Sequence, residues 1–134
     1  MALIYDLLIV DDQAGIRRFL YEAFSEEGYN VEMASSGLEA VNKASAKTPS
    51  LILLDVKMPG MSGLETLEEL REIAPDIPVV MMSAYGELDI IAEAKKKGVK
   101  CYIKKPFDLD DVRNLVRGLL AKEDSKCEIK KDIG

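Results

Sequence analysis

Five side chains suited to phosphate or metal chemistry stand where short apolar runs stop: Asp11 and Asp12 after LLIV, Asp55 after LILL, Ser83 after VVMM, and Lys105 just before Pro106. Three carboxylates gathered in one place repel, and at least one gains proton affinity unless a cation intervenes. A divalent ion removes that conflict. Mg2+ suits this set because it takes hard oxygen ligands, one or two carboxylates and a shared phosphoryl oxygen; Mn2+ is the alternative ion. The metal would bridge Asp11 and Asp12 after one strand and Asp55 after another. Asp55 is then placed to attack phosphorus and carry an aspartyl phosphate, with Lys105 pairing one phosphoryl oxygen and Ser83 donating a hydrogen bond to a further one. Pro106 holds Lys105 extended, and the X-Pro bond admits a cis form that aims the ammonium inward. Taken singly, each of these residues is a turn, a cap or a solvated side chain. Their common position at one end of four different strands points to a single site.

These residues converge only if the apolar runs are neighbours in one sheet. Runs that are short and apolar throughout are the pattern of parallel strands buried on both faces. The expected strands cover 5–10, 30–34, 51–54, 79–82 and 100–104. Between them lie helical patterns. Ile16, Phe19, Leu20, Ala23 and Phe24 form one helical face, stopped by Gly28. Ser36 with Glu39 reads as a capping box for a helix with Leu38, Val41 and Ala44 inward, ended by Pro49. Ser62 with Glu65 repeats that device ahead of Leu64, Leu67 and Leu70. A fourth helix runs from about Glu87 to Gly98 with lysines in its last turn, and Asp108 caps a fifth bearing Leu109, Val112, Leu115, Val116 and Leu119. Five β/α units predict a doubly wound α/β sandwich with parallel strand order 2-1-3-4-5, three helices on one face and two on the other.

The chain has 134 residues and a net charge of −6. That length suits one core, expected over 1–121, with 122–134 as a polar tail. Without a concentrated basic stretch there is nothing to grip nucleic acid. No apolar stretch reaches the roughly 18 residues of a membrane span, and the start lacks the basic flank of a signal peptide, so a cytoplasmic protein is expected. Cys101, in an apolar run, reads as a small buried hydrophobe.

In order and spacing, VDDQAGIR, LLDVKMPGMSG, SAYGELD and KKPFD resemble the receiver domain of two-component response regulators, and most closely the stand-alone receivers of sporulation phosphorelays. The similarity covers about residues 5–120. It implies a flavodoxin-like fold, Asp55 as phosphoacceptor, the Lys57 carbonyl beside Asp11, Asp12 and Asp55 in the metal's protein shell, and Tyr102 as a switch aromatic. Ser83 stands where threonine is common in such domains. The implied function is to accept a phosphoryl group from a sensor histidine kinase and relay it to a histidine phosphotransferase, as a monomeric phosphoacceptor rather than an enzyme. Gln13, Gly15, Ile16, Phe19, Tyr85, Pro106 and Phe107 would form the docking surface. Ile16 and Phe19 also belong to the core stripe of their helix, but that stripe is wide enough for its first turn to emerge beside Asp12.

Three alternatives use the same layers. A receiver cut from a DNA-binding transcriptional regulator would have the same site. An aspartate-nucleophile phosphatase would carry nucleophile and acid after the first strand, one residue apart, whereas here the acids are adjacent and the nucleophile follows the third. A flavodoxin-like cofactor carrier needs a loop of backbone amides for phosphate, where Asp11 and Asp12 would repel it.

Overall fold

The computed structural model describes residues 4–83 and 88–121. Five strands, β1 (Ile4–Val10), β2 (Val31–Ala34), β3 (Thr48–Asp55), β4 (Val79–Ser83) and β5 (Cys101–Lys104), alternate with helices α1 (Ala14–Glu26), α2 (Gly37–Ala46), α3 (Gly63–Ile73), α4 (Leu88–Lys96) and α5 (Leu109–Leu120). All pairings are parallel and the sheet order is β2-β1-β3-β4-β5. The central runs do not alternate in polarity because helices cover both faces. On one side Ala40 and Ala44 of α2, Leu67 and Leu70 of α3, and Ile91 and Ala94 of α4 pack on the sheet. On the other, Leu20 and Phe24 of α1 meet Val112, Leu115, Val116 and Leu119 of α5. Cys101 is buried, as its apolar run requires.

Three sequence expectations change. Leu38 is exposed, and Gly37 and Ala40 join the expected Ala44 and a half-buried Val41 on the inner face of α2. The Glu39 carboxylate accepts from Ser35 rather than closing a reciprocal box with Ser36, whose own side chain still accepts from the Glu39 amide. Pro49 lies inside β3 rather than at a helix end. It is tolerated because it pairs with Tyr5 of β1 ahead of Ile52, where pairing with β4 begins. Phe19 stands half in solvent, as the width of its helical stripe allows. The Ser62–Glu65 box is reciprocal as expected, and Asp108 caps α5. Tyr85, the start of α4 at Glu87 and the tail lie outside the described residues.

The register brings the site residues level. Val10 pairs with Leu54, Asp55 with Met82, and Ser83 with Lys104. Residues that follow those pairs therefore emerge together at the carboxyl ends of β1, β3, β4 and β5. The α3 N-terminus closes on the same edge: a Cβ on Gly63 would stand 2.5 Å from the Asp55 carbonyl oxygen and 2.6 Å from that of Val56.

Candidate functional site

At the end of β1 the chain presents Asp11 inward, fully buried, and Asp12 outward, exposed. Asp11 is held at each of its polar atoms. Its N–H donates to the Ala34 carbonyl at 3.2 Å, its Oδ1 accepts from the Gln13 N–H at 2.9 Å, and its carbonyl accepts from Arg17 Nη1 at 2.7 Å. Its Oδ2 accepts from Lys105 Nζ at 2.9 Å. Asp55 ends β3, is 5 % exposed, and accepts at Oδ1 from the same Nζ at 3.0 Å. The three carboxylates of Asp11, Asp12 and Asp55 each offer an oxygen within 4.8 Å of the others.

Lys105 reaches this position from the strand on the far side of β4. Its N–H donates to the Ser83 carbonyl at 2.7 Å, and the Lys105–Pro106 peptide is cis. Ser83 is itself buried at the end of β4. The Lys105 ammonium thus pairs with two of the three carboxylates. Burial, followed by the neighbouring Asp11 charge, raises the Asp55 pKa from 3.8 to about 7, and Lys105 opposes that rise. For Lys105 itself, burial works against the charged form, but its bonds and charge pairing with Asp11 and Asp55 outweigh it and hold the pKa above the usual lysine value. A carboxylate set with too little positive charge, one member facing solvent, is a donor set that a hard divalent cation fits.

The other expected residues surround this centre. Lys57 follows the end of β3 and is exposed. Tyr102 is half-buried against the α4 layer, with Lys95 Nζ 5.5 Å from its ring centroid. Gln13, Gly15 and Pro106 are exposed. Ile16 and Phe107 are half-buried and pack on the same core cluster, whereas Phe19 is 50 % exposed. Tyr85 falls outside the described residues. Two contributors had no sequence signal of their own. Arg17 reads as one of two adjacent basic residues on a helix, and Gly63 as a permissive residue in a helix start. Only the meeting of strand end and helix shows what each does.

At the opposite end of the strands a cleft of about 620 Å3 is lined by Asp6, Arg71, Asp76 and Lys100 among others. Arg71 donates there to the carbonyls of Ile77 and Gly98, at 2.7 and 2.8 Å. Its guanidinium ties two loops together and is not turned outward to a ligand.

Comparison with known proteins agrees with this geometry. A profile of the response regulator receiver domain matches residues 7–117. The chain is 46 % identical over 114 residues to sporulation initiation phosphotransferase F of Bacillus subtilis (strain 168), which covers 85 % of this chain and 92 % of that protein. It is 36 % identical over 130 residues to the regulatory protein AtoC of Escherichia coli (strain K12), covering 97 % of this chain but 28 % of that one. Among solved structures, the receiver domain of NtrX from Brucella abortus matches with a TM-score of 0.82 at 30 % identity, over 88 % of this chain and 100 % of that one. A CheY-like receiver domain protein from Methanospirillum hungatei JF-1 matches with a TM-score of 0.83 at 29 % identity, over 91 % of this chain and 96 % of that one. Among the described residues, no helix is long and apolar enough to cross a membrane.

Proposed function

Because the chain belongs to the response regulator receiver family, we propose that in the cytoplasm it accepts a phosphoryl group on Asp55 from a sensor histidine kinase and relays it to a histidine phosphotransferase, in a phosphorelay of the sporulation type. The observation that carries the acceptor role is the Lys105 ammonium shared between Asp11 and Asp55 beside an exposed third acid. The likeness over 92 % of the sporulation phosphotransferase supports the relay role.

In the proposed transfer an Asp55 carboxylate oxygen attacks the phosphorus of a phosphohistidine. A P–O bond forms as the P–N bond breaks, and the departing imidazole nitrogen keeps the electron pair and takes a proton. Lys105, already 3.0 Å from Asp55, pairs with an oxygen of the transferred group. Ser83, buried beside it, donates to another. Asp11, Asp12, Asp55 and the Lys57 carbonyl would hold the metal. A bound Mg2+ or Mn2+ supplies the positive charge that keeps Asp55 ionised and offsets charge on the phosphoryl oxygens. Gln13, Gly15, Ile16, Phe19, Pro106 and Phe107 form the docking rim, and Tyr102 reports occupancy through α4. On this reading the chain is a monomeric phosphoacceptor and has no substrate to turn over.

The test is direct. A small acyl phosphate with Mg2+ should add one phosphoryl mass that hydroxylamine removes, and Asp55→Asn should take up none. Labelling of Asp55→Asn at the wild-type rate would overturn the assignment. A second reading, the receiver part of a transcriptional regulator, is favoured by the match to AtoC, of which the chain spans 28 %. Onward transfer from the phosphorylated chain to a histidine phosphotransferase separates the two.

A further inference from the structure

We propose that Arg17 is a positioning residue for the acidic site: its guanidinium fixes the peptide joining Asp11 to Asp12, and with it the direction in which Asp12 presents its carboxylate. The inference rests on the metal-site reading above. Arg17 lies one turn into α1 and folds back onto the end of β1, where Nη1 meets the Asp11 carbonyl at 2.7 Å. That carbonyl belongs to the peptide between the two acids. Asp11 is fully buried, and its N–H and both carboxylate oxygens are already committed to Ala34, Gln13 and Lys105.

Without Arg17 the part-buried carbonyl loses its charged donor, which favours rotation of the peptide toward another partner. Such a rotation moves Asp12, the exposed member of the carboxylate set. A second bond crosses the junction, from the Gln13 N–H to Asp11 Oδ1 at 2.9 Å, but it leaves the Asp11 carbonyl without a donor. Gln13 occupies the N-cap of α1 without a side-chain cap bond, and no acidic residue lies in the first turn. Arg18, by contrast, points to solvent and pairs with Glu22 at 3.1 Å.

The experiment is Mg2+ titration of the folded protein by calorimetry, alongside urea denaturation, for wild type, Arg17→Met, Arg17→Lys and Arg18→Met. Arg17→Met keeps the stem but no donor and should weaken Mg2+ binding about tenfold, as loss of a group supporting a metal ligand commonly does. Arg17→Lys, which retains a donor, should recover part of the loss, and Arg18→Met should bind as wild type does. The direction is decisive, because charge alone predicts the opposite: removing a cation near three carboxylates should tighten binding. Affinity for Arg17→Met equal to or above wild type overturns the proposal, and so does a lower urea midpoint with unchanged affinity. If Arg17→Met does not fold, Arg17→Gln, too short to span the gap, takes its place with the same expectation. A wild-type protein that binds no Mg2+, indistinguishable from Asp55→Asn, brings down the metal-site reading itself.

Discussion

Lys105 Nζ sits 3.0 Å from Asp55 Oδ1 although 50 residues separate them in the chain. The same ammonium lies 2.9 Å from Asp11 Oδ2, so one cation lets two buried carboxylates coexist. Lys105→Met should therefore keep the fold in Mg2+ but slow phosphorylation by a small acyl phosphate. Loss of a charged hydrogen bond worth roughly 1.5 to 3 kcal/mol corresponds to about tenfold or more in rate. Since Lys105 opposes the rise in the Asp55 pKa, the rate profile of the variant should also move to higher pH. A time course by intact mass at several pH values checks both, and an unchanged rate would remove Lys105 from the mechanism.

Acid raised to a pKa of about 7 in the fold, against 3.8 in the unfolded chain, gives Asp55 a defined stability signature. The folded state binds this proton more tightly than the unfolded one. Asp55 thus costs nothing below about pH 4, and its ionisation destabilises the metal-free protein progressively as pH rises toward and through 7. The expected loss is on the order of a few kcal/mol. Urea midpoints without metal should fall over that window, Asp55→Asn should flatten the fall, and Mg2+ should reverse it by binding only the folded state. A flat profile for the metal-free wild type would contradict the burial argument.

Two glycines separate packing from exposure. A Cβ on Gly63 meets the Asp55 and Val56 carbonyls well inside contact distance, whereas one on Gly15 meets nothing within 4 Å. Gly63→Ala should cost about 1 to 3 kcal/mol and push Asp55 out of line. Gly15→Ala, inside α1, should stabilise by roughly 0.5 to 1 kcal/mol. Denaturation midpoints of the pair, with acyl phosphate labelling of each, test the contrast. Equal stability in both variants would mean that α3 can withdraw from the strand end.

The strand ends were legible because each all-apolar run, the pattern of a parallel strand buried on both faces, stops at a polar residue. The register was not, and the level pairing of Val10 with Leu54 is what puts Asp11 beside Asp55. The orientation of α2 was not legible. Helical spacing alone allows Leu38, Val41 and Ala44 or Gly37, Ala40 and Ala44 to face inward. Gly37 and Ala40 displace Leu38, while Val41 stays half-buried, because α3 approaches so closely that a Cβ on Gly37 would collide with Thr66 Oγ1 and crowd Met61, which only small residues permit. The Arg17 contact spans six residues across a strand-to-helix turn. No periodicity reports such a contact, since it depends on the angle at which α1 leaves the sheet.

Phe19 now offers a cleaner test of docking than Ile16 does. Ile16 is half-buried on the α1/α5 core, so truncating it mixes packing with recognition, while Phe19 is 50 % exposed and its neighbour Leu20 is fully buried. Phe19→Ala should change stability by less than about 1 kcal/mol, yet lower transfer from a histidine-phosphorylated helical bundle by about tenfold. An apolar anchor at the centre of an interface commonly carries more than ~1 kcal/mol. Labelling by a small acyl phosphate should hardly change, because that donor engages the acidic site and needs no docking surface on α1. Leu20→Ala should do the reverse, costing roughly 2 to 5 kcal/mol of stability and harming both donors in proportion to the folded fraction lost. Both transfer rates, measured with a urea midpoint for each variant, decide the matter. If Phe19→Ala receives phosphate from the protein donor as fast as wild type, the exposed ring lies outside the interface and docking must be sought around Pro106 and Phe107.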